Sequence, residues 1–233
     1  MNNTIKENWL ETEERIKKAN PDGKDITVVA VTKTHSTQVI ENALALGFSE
    51  IGENKAQEFV EKYDRMEGQK ENINWHMIGH LQRNKVKYVV GKTKLIQSLD
   101  SMRLAKEIEK RGAAEGITVD TLLQVNVARE EAKYGIFMED VISFLKNIET
   151  FKSLKIRGLM TMAPFYQDPE ETRECFKKLK NMFEELKKEE YNNVSMDYLS
   201  MGMSNDFEVA VEEGSNMLRL GRTLFGERPK SKK

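Results

Sequence analysis

A single α/β domain folded as a (β/α)8 barrel of the TIM type, with one extra helix at its N-terminus, is the fold this sequence predicts. Three observations predict it. Eight short apolar segments recur along the chain, and each is followed by a helical pattern or short helical turn. The length of 233 residues is close to that of such barrels. No G-x-G-x-x-G follows the first strand, which speaks against a dinucleotide-binding sheet. Regular strand–helix alternation calls for a parallel sheet with right-handed crossovers. An open doubly wound sheet would satisfy the alternation too, and the count of eight favours closure.

The elements follow in order. Thr4 and Glu7 stand at capping-box spacing and predict a helix over 4–19. Pro21-Asp22-Gly23 then forces a turn, so residues 1–25 precede the barrel. Strands are predicted over 26–32, 48–52, 73–79, 94–99, 119–127, 154–161, 194–200 and 216–220. Helices are predicted over 37–46, 55–66, 101–115, 139–148, 170–190 and 206–213, with a shorter, weaker pattern over 84–90. Val39, Ile40, Ala43 and Leu44 recur at three and four in the first of these helices. Phe176, Leu179, Met182, Phe183 and Leu186 do so in the fifth, whose charged remainder reads as a solvated face. No linker, repeat or low-complexity stretch interrupts the pattern, so 1–233 reads as one domain with a frayed basic tail over 229–233. About a dozen residues follow the eighth strand, too few for a C-terminal β-domain.

Composition narrows the function. Charged residues make up 32% and the net charge is −1, which argues against nucleic acid or an anionic membrane as the main partner. The one cysteine, Cys175, permits no intramolecular disulfide and no thiolate metal cluster, and it reads as an ordinary helix residue. No signal-peptide core and no membrane-length apolar run is present, so the cytoplasm is the expected compartment. The three histidines lack a helical H-x3-H spacing, and no metal site is expected. No G-x-S-x-G elbow and no glycosidase-like carboxylate pair stands out. The twelve methionines read as core filler. No long apolar stripe is left after the barrel is assembled, so a monomer is expected.

In such a barrel, ligand chemistry sits at the C-terminal ends of the strands. Lys33 follows directly on the first one, in phase with the face shared by Val29 and Val31. An ammonium is costly to bury and burial lowers its pKa, so a lysine there is suited to attack an aldehyde. The other reading is that Lys33 simply reaches water, and the residues alone leave both open. After the later strands come Gly52-Glu53-Asn54, Gly79-His80, Asn126 and Gly158-Leu159-Met160-Thr161. The seventh and eighth give Ser200 to Asp206 and Arg219-Leu220-Gly221-Arg222-Thr223. Barrels often bind phosphate in these last two loops, through free backbone N–H groups, hydroxyls and small residues. Ser204, Gly221 and Thr223 match that need. Capping by Ser204 or Asn205 of the helix near Asp206 is the competing reading. Arg219 shares a strand face with Met217, so that face must tolerate a charge. His76, inside an apolar strand, reads as a hydrogen-bonded core histidine, with a catalytic role as the alternative.

In order along the chain stand Val29-Ala30-Val31-Thr32-Lys33, Gly52-Glu53-Asn54, Trp75-His76-Met77-Ile78-Gly79 with Leu81-Gln82-Arg83-Asn84-Lys85, and Arg157-Gly158-Leu159-Met160. Ser200-Met201-Gly202-Met203-Ser204-Asn205-Asp206 and the run from Arg219 to Arg228 complete the set. With these, the chain from about 26 to 228 resembles the pyridoxal phosphate homeostasis protein family, small fold-type III proteins that bind pyridoxal 5′-phosphate (PLP). The resemblance implies that Lys33 carries PLP as an internal aldimine. It implies that Ser204 and the loop of Gly221, Arg222 and Thr223 hold the phosphate, that Arg219 faces the pyridine nitrogen, and that Asn54 lies near the ring. Arg222 departs from the small hydroxyl residue common there in the family, so its backbone is expected to matter rather than its side chain. The implied function is PLP homeostasis or carriage without turnover, with apo forms of PLP-dependent enzymes as partners and no catalytic residue. An amino-acid racemase-like enzyme is the alternative; its second acid/base normally comes from a C-terminal β-domain. A third reading is a barrel for some other phosphorylated metabolite, with Lys33 incidental.

Overall fold

Residues 2–227 are described by the computed structural model. Eight parallel strands close into a barrel: β1 (Thr27–Val31), β2 (Glu50–Glu53), β3 (Asn74–Met77), β4 (Leu95–Leu99), β5 (Val119–Asn126), β7 (Leu154–Met160), β8 (Val194–Met203) and β9 (Met217–Leu220). Pairing of β1 with β9 and of β4 with β5 leaves the ring without an edge. A two-residue strand, β6 (Ile136–Phe137), adds a short ladder to β5 outside the ring. Helices α2 (Thr37–Ala45), α3 (Ala56–Arg65), α4 (Met102–Glu115), α5 (Val141–Ile148), α6 (Arg173–Leu186), α7 (Phe207–Glu212) and α8 (Arg222–Phe225) follow their strands.

Two apolar layers form because successive side chains of a strand point to opposite faces. Ala30 joins the outer layer, between strands and helices, with Ile40, Phe59, Trp75, Leu104 and Phe176. Its neighbour Val29 points inward, where it meets Leu95, Leu122, Met160 and Met217. Val141, Phe144, Leu145 and Ile148 are all buried, at the three-and-four spacing that seats α5 on the sheet. Extra helix α1 (Asn2–Ala19) is fastened to the last elements of the chain. Asn8 Nδ2 donates to Leu224 O at 3.0 Å, and Arg15 grips Glu208 with two bonds of 3.1 and 2.6 Å while lying over the Phe207 ring.

Several boundaries differ from the sequence reading. α1 takes in Thr4 within its first turn, where N–H groups need no intrahelical partner, so Thr4 does not begin the helix. The weaker pattern over 84–90 corresponds to a 3-10 helix, Arg83–Tyr88. The helices expected from 139 and 170 each open with a 3-10 turn; in the second, Pro169 fits a first turn because its missing N–H is not needed there. α6 stops at Leu186, its last buried apolar residue. β8 runs three residues past the expected end, through a register shift against β9 in which Ser200 faces Met217 and Met203 faces Arg219. Gly202, at φ 93°, supplies the bend, and a bulge of this kind breaks the period-two pattern. The expected frayed tail lies outside the described residues. No described helix is long and apolar enough to cross a membrane.

Candidate cofactor site at the C-terminal mouth

Lys33 lies in a turn, not on the strand face that its spacing suggested. β1 ends at Val31, and Thr32 N–H makes one more ladder bond, to Gly52 O at 3.1 Å. The chain then folds back, with His35 N–H on Thr32 O and Thr34 at φ 68°. A β-branched residue in that left-handed region is costly. Charged groups hold it there. Lys62 Nζ, from α3, donates to Thr32 O, Glu53 Oε1 and Glu58 Oε1, each at 2.7 Å. Thr32 Oγ1 donates to Glu53 Oε1 at 2.6 Å, and Thr34 N–H donates to Glu58 Oε1 at 2.5 Å. The residues on either side of Lys33 are thus tied to one ion cluster. Burial pushes the Glu53 carboxyl above its usual range, and Lys62 pulls it back.

Lys33, Asn54, Ser204, Arg219, Gly221 and Arg222 line one cavity of about 170 Å³ at the C-terminal mouth, together with Val31, Ile78, Met162, Phe165 and Asp206. Thr223 stands just outside this lining. Its N–H donates to Ser204 Oγ at 3.2 Å, and Gly221 N–H reaches the same oxygen at 3.4 Å. Two backbone donors therefore converge on one oxygen at the start of α8. Ser204 and Asn205 do not cap α7: Asn205 Nδ2 donates to Tyr166 O, and Asp206 is the preceding residue, its Oδ1 accepting from Met203 N–H at 2.6 Å. Arg222, between the two donors in sequence, is exposed. Gly79 lets β3 close on Asn54, since a Cβ there would lie 2.3 Å from Asn54 O.

Arg219 is 4% exposed. Its Nη1 donates to Ser200 Oγ at 2.5 Å and its Nη2 to Thr161 O at 2.7 Å. Burial draws its pKa down to about 10, against the pull of Asp206, so it stays a cation at neutral pH. One cavity thus holds a half-buried lysine, a buried guanidinium and a carboxamide, with convergent N–H donors at its border. This donor set suits a phosphorylated aromatic aldehyde: amine for carbonyl carbon, N–H groups for phosphate, guanidinium for a ring nitrogen.

The alanine racemase N-terminal domain family matches residues 2–229. The pyridoxal phosphate homeostasis protein of Aquifex aeolicus is 43% identical over 201 residues, 86% of each chain. That of Helicobacter pylori strain 26695 is 40% identical over 204 residues, 87% of this chain and 88% of its own. The chain belongs to the pyridoxal phosphate homeostasis protein family. Among solved structures, PipY of Synechococcus elongatus with PLP bound superposes with a TM-score of 0.83 at 29% identity, over 95% of this chain and all of PipY.

In this member of the family, His76 is a hydrogen-bonded core histidine, as its apolar strand predicts. It is fully buried, with Nε2 at 2.5 Å from Glu50 Oε2 and Nδ1 at 3.0 Å from Gln97 Nε2. Burial holds its pKa below the usual histidine range, against the pull of Glu50. For Glu50, burial alone would raise the pKa, but hydrogen bonds from His76 and Lys94 outweigh it and bring it to about 2. A depressed carboxyl pKa adds stability that is complete above the unfolded value and lost as pH falls through the folded one. The stability gap between wild type and Glu50→Gln is therefore expected to narrow between pH 4.5 and about 2. Urea unfolding across that interval measures it, and a constant gap would refute the charge contribution.

The sequence left four contributors unmarked. Lys62 sits among charged helix residues and carried no signal. Gln97 could have been found, as a polar residue on the same strand face as Leu95. Met162 and Phe165 line the cavity from the loop after β7, where a barrel mouth is expected. Cys175, as read, is an ordinary helix residue; burial raises its thiol to about 11, so it stays protonated.

Proposed function

We propose that this chain binds PLP covalently through Lys33 and acts in intracellular PLP homeostasis, holding the cofactor without turning over a substrate. One observation carries the reading: Lys33, Arg219, Ser204 and Gly221 line the same mouth, and Thr223 just outside it adds a second N–H to the Ser204 hydroxyl. The family membership and the PLP-bound relative support it. In this reading Gly221 and Thr223 offer their N–H groups, and Ser204 its hydroxyl, to the phosphate. Asn54 borders the ring. Bound PLP supplies an electrophilic carbonyl and, when its ring nitrogen is protonated, an electron sink. Arg219 faces that nitrogen with donors only and cannot hand over a proton at neutral pH. It thereby keeps the sink weak, which suits storage better than turnover. Partners are apo forms of PLP-dependent enzymes, and the working unit is a monomer in the cytoplasm.

The visible spectrum of the PLP-treated protein tests this. The expected result is a yellow band that borohydride bleaches, with the added mass on the Lys33 peptide and no band in Lys33→Ala. A protein that stays colourless would overturn the assignment. Racemisation of free alanine or serine, lost in Lys33→Ala, would overturn the carrier role and leave the racemase-like alternative.

A further inference from the structure

A polar thread crosses the interior of the barrel. Four buried side chains from four strands are linked in sequence: Arg219 of β9, Ser200 of β8, Gln97 of β4 and His76 of β3. Arg219 Nη1 lies 2.5 Å from Ser200 Oγ, Ser200 Oγ lies 2.7 Å from Gln97 Oε1, and Gln97 Nε2 lies 3.0 Å from His76 Nδ1. His76 Nε2 then meets Glu50 Oε2 at 2.5 Å, and Lys94 Nζ donates to the other oxygen of Glu50 at 2.7 Å. Arg219 borders the candidate cofactor cavity. Glu50, His76 and Lys94 border a separate cavity with Thr27, at the start of β1, and so at the opposite end.

Donor accounting leaves one arrangement. A guanidinium only donates, so Ser200 Oγ accepts from Arg219 and gives its single proton to Gln97 Oε1. That fixes the Gln97 amide with its NH2 toward His76, whose Nδ1 must be bare. The remaining ring proton sits on Nε2 and faces a carboxylate that only accepts. Every link therefore donates in the same direction, from the cation at one mouth to the anion at the other. Such aligned bonds polarise one another inside a low-dielectric core.

We propose that His76 and Gln97 are positioning residues for the cofactor. They fix the lone pair that Ser200 presents to Arg219, and so set where the guanidinium meets the PLP ring. Through them the Glu50–Lys94 pair at the far mouth acts on the cofactor without touching it. This rests on the cofactor reading above.

The test has two arms. In the apo protein, 15N-labelled histidine is read by NMR, with the three histidines sorted by His76→Gln. A bare Nδ1 and a protonated Nε2 are expected at His76, and Ser200→Ala should move the Nδ1 signal. An Nδ1–H tautomer, or a signal indifferent to Ser200→Ala, would overturn the thread whether or not PLP binds. In the loaded protein, Glu50→Gln and Gln97→Met should shift the absorption maximum and release PLP about five-fold faster or more, as losing one net hydrogen bond would. Glu50→Gln alters only the far mouth, so it remains informative if Gln97→Met folds poorly. Wild-type colour and release rate in a folded Glu50→Gln protein would refute the positioning role. A colourless wild type would instead sink the cofactor reading itself, and the positioning role with it.

Discussion

Lys62→Met is expected to lower the free energy of unfolding by roughly 3–5 kcal/mol, the cost of leaving one partner of a buried ion pair alone. Glu53 is fully buried and its Oε1 accepts from Lys62, while its Oε2 has no hydrogen-bond partner among the described residues. Without the ammonium, that carboxyl must either ionise in an apolar setting or take up a proton. Its folded pKa would rise further above the unfolded value. The folded state then binds more protons, and stability is regained as pH falls through the folded pKa. Urea unfolding at neutral and mildly acid pH measures both effects. Adding Glu53→Gln should return part of the loss, because it removes the stranded charge. Lys62→Met also leaves Thr32 O with the His35 N–H in place of two donors and loosens the hold of Glu58 on Thr34, so the turn that presents Lys33 should become mobile. A loss below about 1 kcal/mol, the range of exposed pairs, would mean that the cluster is solvated and does not brace the turn.

Gly158→Ala is expected to cost more than about 4 kcal/mol, placing it among the rare, severe single substitutions. Gly158 has φ 144°, and a Cβ on it would stand 1.9 Å from Tyr198 O. The atom in the way is backbone of the neighbouring strand, which cannot swing aside as a long side chain can. β7 and β8 would have to part where Gly158 faces Tyr198 and Met160 faces Ser200. Ser200 and Thr161, the two acceptors of Arg219, ride on that stretch. The defect should therefore reach the cofactor cavity as well as the fold. Circular dichroism and thermal melting follow the first, and PLP uptake the second. Gly68→Ala is the control: nothing among the described residues lies within 4 Å of its Cβ position, and its backbone is not left-handed. It should stay within about 0.5 kcal/mol of wild type. A Gly158→Ala protein that melts like this control would refute the account of the strand contact.

The sequence displayed what is periodic or local. Alternating apolar runs announced the strands, and three-and-four spacing announced the helices. The glycine- and hydroxyl-rich loops after the last two strands mark a mouth, and Lys33 stands out by its place at the end of an apolar run. What it hid depends on several elements meeting at once. Thr34 adopts a left-handed backbone because Glu58, on another element, receives its N–H. Lys62 reads as solvated in its own helix and becomes a buried cation only because β2 sets Glu53 beside it. The bulge at Gly202 breaks the period-two pattern, and β8 continues through it beyond Ser200. Gln97 and His76 are each one polar residue in an apolar strand. Their joint meaning needs the ring, which brings β3, β4, β8 and β9 around one interior.

Closure of that ring has a consequence for timing. β1 is the first barrel strand to be synthesised and β9 the last, yet they share a ladder from Thr27↔Met217 to Ala30↔Leu220. Until β9 arrives, the nascent sheet has two bare edges, and pairings so distant in sequence are slow to form. Arg219 enters on β9 itself, with Gly221 and Thr223 directly behind it, whereas Lys33 waits at the end of β1. The amine is thus made early and its counterparts at the very end. Under the proposed assignment, a chain caught before closure would meet PLP with only half a site. Cofactor colour during refolding should then report the final seam of the barrel rather than its first collapse, giving a clock for the last step of folding.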